Sequence, residues 1–189
     1  PAGIKFHFPY PTGGHCDDAC NWEANDKHST TLVSEDAQSA VLKRTLDATT
    51  YYVTISWEGT AKLSEKSANY FVLTPTDSVF TFTCQFTPQA SAAPILTFAE
   101  VQQASSGHWQ NYWTQGAVAD FSQCTDVRAK ELERRVVLSQ YLLAIQCAGS
   151  TPPQETGLTY NSWFGKFHLE MIWWHQAQFA LWGHPELLD

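Results

Sequence analysis

Apolar and polar residues alternate through the first half of the chain. Apolar or aromatic side chains occupy every second position in three runs, residues 4–8, 51–57 and 80–86. A period of two with β-branched and aromatic residues is typical of strands with one buried face. Turn-forming residues such as 58–60 separate the runs. The pattern predicts an antiparallel β-sandwich over residues 1–98.

The period changes after residue 95, where apolar residues recur at helical spacing. We expect two short helical pieces interrupted at residues 105–107, because serine and glycine disfavour a helix interior. Trp109 and Trp113 are four positions apart and therefore share one helix face. The favoured interpretation is that these rings pack a helical linker, residues 99–124, onto a neighbouring domain.

Two long helices are predicted in the last third of the chain. The first spans about residues 126–147, with charged first turns and an apolar second half. The second spans residues 163–182, with Asn161 or Ser162 available as its N-cap, and it is apolar on nearly every side, which predicts burial. A hairpin of two such helices, residues 125–189, cannot bury its own apolar faces and needs further helices.

Composition excludes several classes of partner. The chain has 189 residues, 43% of them hydrophobic, and eight tryptophans, which is enough for a packed core. Its net charge of −8 disfavours nucleic acid or an anionic membrane as a partner. Apolar runs of transmembrane length and a signal-peptide pattern are both lacking. The first residue is Pro1 rather than methionine, which suggests a processed or excised piece, so we expect a truncated chain.

Five cysteines in an acidic chain rich in threonine, serine and tryptophan favour an oxidising, extracellular compartment, and we expect a secreted protein. Cys16 and Cys20 are close enough in sequence to close a short loop. Cys124 and Cys147 flank the first long helix, so they lie roughly 30 Å apart and cannot pair with each other. A zinc site built from His15, Cys16 and Cys20 is an alternative, but no second ligand pair follows at zinc-finger spacing.

A candidate site lies on the second long helix. On a helical wheel Glu170 lies close to Lys166, Trp173 and Trp174, while His168 and His175 lie together on the opposite side. Aromatic rings cover the apolar faces of a pyranose, and a fixed carboxylate accepts hydrogen bonds from its hydroxyls. The pattern therefore predicts a sugar-binding cleft. The alternative is a buried helix whose Glu170 and histidines are satisfied inside a core.

A metal-dependent hydrolase that uses His168, Glu170 and His175 is a further hypothesis. It is disfavoured because the sequence has no His-Glu-x-x-His motif and Glu170 faces away from both histidines on the wheel. We therefore expect no metal and no cofactor.

Residues 98–189 resemble a known family. The motifs are Trp109-x-x-Tyr112-Trp113, the segment from Gly116-Ala117 to Asp120, the long helix, and Gly157-Leu158-Thr159-x-x-x-Trp163-x-Gly165-Lys166-x-x-Leu169-Glu170. In order and spacing they are similar to the six-hairpin glycosidases, above all the maltose phosphorylase and acid trehalase family. The resemblance implies an N-terminal β-sandwich, a helical linker and an (α/α)6 barrel. It implies that this chain holds only the first barrel hairpin.

The resemblance also implies residue roles. The family's Gly-His-x-x-Trp-Asp matches residues 165–170, with Leu169 and Glu170 in place of its tryptophan and aspartate. That aspartate holds sugar hydroxyls in the family, so Glu170 is the candidate sugar-binding carboxylate. The other candidate carbohydrate-binding residues are Trp163, Lys166, His168, Trp173 and Trp174.

The catalytic residues are not assigned, since the family's general acid lies on a later hairpin. We expect the N-terminal part of a secreted glycoside hydrolase acting on oligosaccharides by an inverting acid–base mechanism. Its expected partners are a carbohydrate substrate and either the remainder of the barrel or a second copy of the chain. The alternative is a carbohydrate-binding or structural β-sandwich module without catalysis.

Overall fold

The computed structural model describes residues 3–91 and 94–188. Residues 1, 2, 92, 93 and 189 fall within the predicted segments 1–98 and 125–189 but lie outside the described residues. The described chain is a mixed α+β protein with antiparallel sheets and three α-helices, which confirms the predicted α+β class.

The chain divides into two compact units. Unit 1 comprises Pro1–Thr12 and Cys20–Ser105, and unit 2 comprises Gly13–Ala19 and Ser106–Asp189. The short segment Gly13–Ala19 thus groups with the C-terminal helices, although the chain on both sides of it belongs to unit 1. No pattern in the sequence indicated this grouping.

The strands of unit 1 run in chain order as β1 Ile4–His7, β2 Tyr10–Pro11, β3 Cys20–Asn21, β4 His28–Glu35, β5 Ser39–Leu46, β6 Thr49–Trp57, β7 Ala61–Ser67, β8 Tyr70–Pro75 and β9 Phe82–Thr87. They form a four-stranded sheet in the order β4-β5-β6-β9, a three-stranded sheet in the order β1-β8-β7, and the pair β2-β3. Every pairing is antiparallel.

The core of unit 1 draws side chains from both larger sheets. In β6, Val53, Ile55 and Trp57 are buried on one face, which confirms the alternation predicted for residues 51–57. They share one cluster with residues of β5, β7 and β8, namely Ala40, Leu42, Leu63, Phe71 and Leu73. The alternating pattern therefore produces the buried face that it predicts.

Helix α1 spans Phe98–Gln115 without interruption, so the predicted break at residues 105–107 is wrong. Its start is fixed by a capping box, since the Thr97 amide donates to the Glu100 carboxylate at 2.8 Å and the Glu100 amide donates to the Thr97 hydroxyl at 3.3 Å. A single interior glycine weakens a helix by about 1 kcal/mol, which does not break a capped helix of 18 residues.

Helix α2 spans Ala129–Cys147, so its end is as predicted and its start comes later than residue 126. The Asp126 carboxylate accepts the amide of Arg128 at 2.8 Å and thereby holds the chain in a turn before the helix. Helix α3 spans Leu169–Leu181, and a 3-10 turn, Pro185–Leu187, follows it.

The predicted helix over residues 163–182 is wrong in its first turns. A 3-10 turn occupies Trp163–Gly165, and an extended connection leads from it to α3. Trp163, Phe164 and Gly165 have positive φ angles of 51°, 63° and 65°. A right-handed helix cannot continue through left-handed residues. Lys166 consequently does not lie on the helix face of Glu170, and His168 becomes the residue at the N-cap of α3.

The interior of unit 2 is small and rich in rings. Tyr112 of α1 stacks on His184 with 4.1 Å between ring centroids, and its hydroxyl donates to the Gln140 carbonyl of α2 at 3.4 Å. Trp109 and Trp113 stack on each other at 6.3 Å, which confirms their shared face.

Helix α3 is less buried than its composition predicts. His175, Gln176 and Phe179 are buried and Met171 and Ile172 are half-buried, whereas the other four large apolar side chains of the helix are exposed. Those exposed on α2 and α3 are Leu132, Val137, Leu138, Tyr141, Leu142, Ile145, Leu169, Trp173, Trp174 and Leu181. Only three residues of each helix are buried, so many of their apolar side chains stay exposed.

Candidate functional site

The left-handed turn Trp163–Gly165 is the most unusual backbone feature near the predicted site residues. Glycine adopts positive φ readily, but a tryptophan and a phenylalanine in this region are conformationally strained by about 1–2 kcal/mol each. The turn leaves both rings about half exposed, at 47% for Trp163 and 48% for Phe164. The backbone is therefore held in an unfavourable conformation that presents two aromatic rings to solvent.

Hydrogen bonds to the segment Gly13–Ala19 hold this turn within unit 2. The buried side-chain amide of Asn161 donates to the Gly14 carbonyl and to the Asp17 carboxylate, each at 3.0 Å. The Phe164 amide donates to the His15 carbonyl at 3.3 Å. Asn161 therefore anchors a loop and does not serve as a helix N-cap.

His168 lies beside the turn. Its ring meets the Trp163 ring edge-on at 5.3 Å, and its Nε2 atom is buried without a hydrogen-bond partner in the described residues. The Lys166 ammonium lies 6.0 Å from the centroid of the Phe164 ring. The structure thus brings Trp163, Lys166 and His168 together around one turn, although by a different backbone path from the predicted helix.

Glu170 is the second residue of α3 and is exposed to solvent. A carboxylate in the first turn of a helix is favoured by the helix dipole. Trp173 and Trp174 follow three and four positions later, and they are 71% and 63% exposed. At this spacing the two rings flank the face that carries Glu170.

We refer to Glu170 and the exposed aromatic side chains on either side of it in the chain as the aromatic surface of unit 2. It consists of Trp163, Phe164, Phe167, Glu170, Trp173 and Trp174, and all six are exposed. His175, in contrast, is buried, and its Nε2 donates to the Glu155 carbonyl at 2.9 Å. His175 is thus a buried, hydrogen-bonded residue, which agrees with the alternative interpretation that the histidines are satisfied inside a core.

A cleft of about 570 Å³ adjoins the left-handed turn. It is lined by Asp18, Ala19, Gly165 and residues 145–154 and 157–161, and none of the six predicted site residues lines it. At its lining, the side-chain oxygen Oε1 of Gln146 accepts the amides of Leu158 and Thr159 at 2.9 and 3.2 Å. Gly157 has a φ of 77°, a conformation that glycine adopts readily, so a glycine at this position is a sequence feature that could have indicated the turn.

Three further features bear on the chemistry. Within residues 3–91 and 94–188, no group of three or more His, Cys, Asp or Glu side chains comes together to hold a metal ion. Cys16, Cys84, Cys124 and Cys147 are free thiols, and Cys147 is buried. No helix among the described residues has the length and apolar character needed to cross a bilayer.

No protein family, curated protein or solved structure matches this chain. The similarity of residues 98–189 to the six-hairpin glycosidases accordingly stays a prediction that rests on the motifs themselves.

Proposed function

We propose that this chain is the N-terminal part of a secreted glycoside hydrolase that acts on oligosaccharides by an inverting acid–base mechanism. Glu170 is its sugar-binding carboxylate. In this proposal the two larger sheets of unit 1 form a β-sandwich, residues 99–124 a helical linker, and α2 with α3 the first hairpin of an (α/α)6 barrel. The resemblance of residues 98–189 to the six-hairpin glycosidases supports this arrangement.

The observation that carries the proposal is a set of exposed aromatic side chains that precede and follow an exposed carboxylate, Glu170, in the chain. Large aromatic side chains are normally among the first to be buried, yet Trp173 and Trp174 are 71% and 63% exposed. Along the chain, Glu170 lies between these two tryptophans and the turn that presents Trp163, and it shares a helix face with the tryptophans. Rings that stack on the apolar face of a pyranose and a carboxylate that accepts its hydroxyls make up a saccharide site.

Acid–base chemistry needs more than Glu170. An inverting glycosidase uses one carboxylic acid to protonate the leaving oxygen and a second carboxylate to activate water on the opposite face of the sugar. The proposal assigns Glu170 to hydroxyl binding, and the resemblance assigns the general acid to a later hairpin. Sugar binding is therefore the part of the proposed function that substitutions in this chain can test directly.

The exposed faces of α2 and α3 fit a partly built barrel. Leu138, Leu142 and Ile145 of α2 are exposed on the same helix, although leucine and isoleucine are usually buried. Further hairpins packed on α2 and α3 would cover these side chains, as in a closed helical barrel. We propose such hairpins as the partner of this surface.

Substitution of Glu170 by glutamine tests the proposal. We expect the variant to bind disaccharides at least about tenfold more weakly than the wild-type chain, because hydrogen bonds to a charged group are stronger than those to an amide. Binding is measured by isothermal titration with maltose, trehalose and cellobiose after a glycan-array screen of the wild type.

Glu65→Gln is the matched control, since Glu65 is an exposed carboxylate on β7 of unit 1 and its substitution removes the same charge. The control variant should bind like the wild type. Equal affinity of wild type and Glu170→Gln for every saccharide that binds would remove Glu170 from the site.

A further inference from the structure

The segment Gly13–Ala19 is an insertion from the N-terminal half of the sequence into unit 2. It meets the turn Trp163–Gly165 across almost 150 positions of sequence, and Asn161 bonds it through the Gly14 carbonyl at 3.0 Å. A loop that only connects two strands does not need contacts with a distant turn. The contacts of Gly13–Ala19 with the left-handed turn therefore suggest that this segment has a function of its own.

His15 is the residue of this segment that faces the aromatic rings. Its ring centroid lies 4.8 Å from that of Trp163 and 5.2 Å from that of Phe164, edge-on to both. His15 is itself exposed, so its side chain stands in solvent at the rim of the aromatic surface. Imidazole provides a polar hydrogen-bonding edge directly beside two half-exposed apolar rings.

The same segment also borders the adjoining cleft. Asp18 and Ala19 line the cleft of about 570 Å³ together with Asn161 and Gly165. A volume of this size lies within the roughly 300–1,000 Å³ range of small-molecule sites. The segment therefore contacts the two half-exposed rings of the turn and also lines the cleft.

We propose that the segment Gly13–Ala19 forms one wall of the saccharide site, with His15 as a residue that hydrogen-bonds the sugar and Asn161 as the residue that positions the wall. This inference rests on the proposed function and adds a second contact region to it. The ligand is an uncharged saccharide, because the carboxylates of Asp17 and Asp18 in the same segment repel an anionic ligand such as a sugar phosphate.

Two substitutions of His15 distinguish packing by its imidazole ring from hydrogen bonding by its nitrogen atoms. His15→Phe keeps an aromatic ring against Trp163 and Phe164 but removes the nitrogen atoms, whereas His15→Ala removes both. We expect both variants to lose about tenfold in affinity for the disaccharide that the wild-type chain binds best among maltose, trehalose and cellobiose. His108→Ala is the matched control, since His108 is exposed and also contacts a tryptophan, with its ring 5.0 Å from that of Trp109.

Hydrogen exchange supplies the readout for Asn161. The Phe164 amide is bonded to the His15 main-chain carbonyl at 3.3 Å, so its protection reports whether the wall is in place. We expect Asn161→Ala to lose both this protection and about tenfold in affinity, and both His15 variants to retain the protection. Loss of affinity without loss of protection then assigns the effect to the imidazole itself.

The outcomes distinguish this inference from the proposed function. Wild-type affinity in His15→Phe makes the ring a packing group only and overturns the inference, while a loss in Glu170→Gln still supports the function. A wild-type chain that binds none of the three disaccharides removes the proposed function and the wall with it. Equal losses in His15→Ala and His108→Ala show a general effect on unit 2 and also overturn the inference.

Discussion

Arg44 is a buried cation in the interior of unit 1, with an exposed fraction of 1%. Its guanidinium donates to His28 Nδ1 at 2.8 Å, to the Thr30 hydroxyl at 2.9 Å and to the Asn69 side-chain oxygen at 3.1 Å. The Phe8 ring lies against it at 4.8 Å. No ion pair of Arg44 with a carboxylate is found among the described residues. Neutral acceptors and a ring therefore stabilise this charge.

The contact with Arg44 favours the neutral form of His28. Arginine only donates hydrogen bonds, so it can bond Nδ1 of His28 only while that nitrogen carries no proton. Burial, and after it the charge of Arg44, lower the pKa of His28 below its ordinary value of 6.5. Two smaller effects oppose each other: the charge of Asp26 raises this pKa, and the charge of His7 lowers it.

This pKa shift predicts that unit 1 loses stability in mild acid. Below pH 6.5 the unfolded chain protonates His28 while the folded chain resists protonation, so the free energy of unfolding falls as the pH decreases from 6.5 towards the lowered pKa. Urea unfolding at pH 7.0, 6.0 and 5.0 measures the effect. His28→Gln should flatten the profile in this window and the exposed His108→Gln should leave it unchanged. An identical pH slope in the wild type and His28→Gln contradicts the prediction.

At the scale of elements, α1 shows how weak a local helix breaker can be. Gly107 lies inside the helix with no atom within 4 Å of the position that a Cβ would occupy. Gly116, directly after the helix, has the opposite environment, since a Cβ there would meet the Trp182 carbonyl oxygen at 2.6 Å and collide with the His184 ring. A side chain at position 107 would thus have free space, whereas a side chain at position 116 would collide with its neighbours.

This contrast predicts opposite effects of alanine. Gly107→Ala should raise the free energy of unfolding by about 0.5–1 kcal/mol, because alanine has the better helix propensity and restricts the unfolded chain. Gly116→Ala should lower it by about 1–3 kcal/mol, because the methyl group has no space. Thermal and urea unfolding measure the change in the free energy of unfolding of both variants, and each variant serves as the control for the other. A destabilising Gly107→Ala would indicate the break that the sequence suggested.

The turn before α3 is the element that sequence periodicity misjudged. Residues 163–182 are apolar enough for one long helix, but Trp163, Phe164 and Gly165 adopt left-handed conformations. These conformations are maintained by contacts with Gly14, His15 and Asp17, which are far away in the sequence. A pattern confined to a window of about 18 residues cannot contain that information.

At the scale of the whole molecule, α2 and α3 expose ten large apolar side chains on unit 2. Isolated exposed apolar residues are ordinary, but a contiguous patch of more than a few hundred Å² marks an interaction surface. On α2 alone, Leu132, Val137, Leu138, Tyr141 and Leu142 are all exposed. The net charge of −8 opposes non-specific aggregation but does not cover these side chains.

The chain expressed by itself should therefore self-associate through α2. We expect analytical ultracentrifugation to show reversible association that strengthens between about 1 and 100 μM, because association removes apolar area from water. Leu138→Lys with Leu142→Lys, one helical turn apart, should weaken it at least about tenfold. Val79→Lys alters an exposed apolar residue of unit 1 and should leave association unchanged. A wild-type chain that stays monomeric at every concentration contradicts this prediction.

Local pattern was sufficient wherever neighbours in the sequence decide the structure. The alternation in β6, the helical spacing of Trp109 and Trp113, and the end of α2 at Cys147 all follow from residues within a few positions of one another. The sequence also placed Trp163, Lys166, His168 and Glu170 near one another, since they lie within eight positions of the chain.

Two features were decided only by the tertiary structure, the burial of Arg44 and the left-handed turn before α3. Both depend on groups that are distant in the chain. The buried Arg44 has its acceptors on Thr30 and Asn69, so that burial of a charge could not be anticipated from β5 alone. The left-handed turn exists because the loop at His15 bonds and packs against it. Hydrophobic periodicity determines which face of an element is buried, whereas strained backbone and buried charge persist only where distant partners stabilise them.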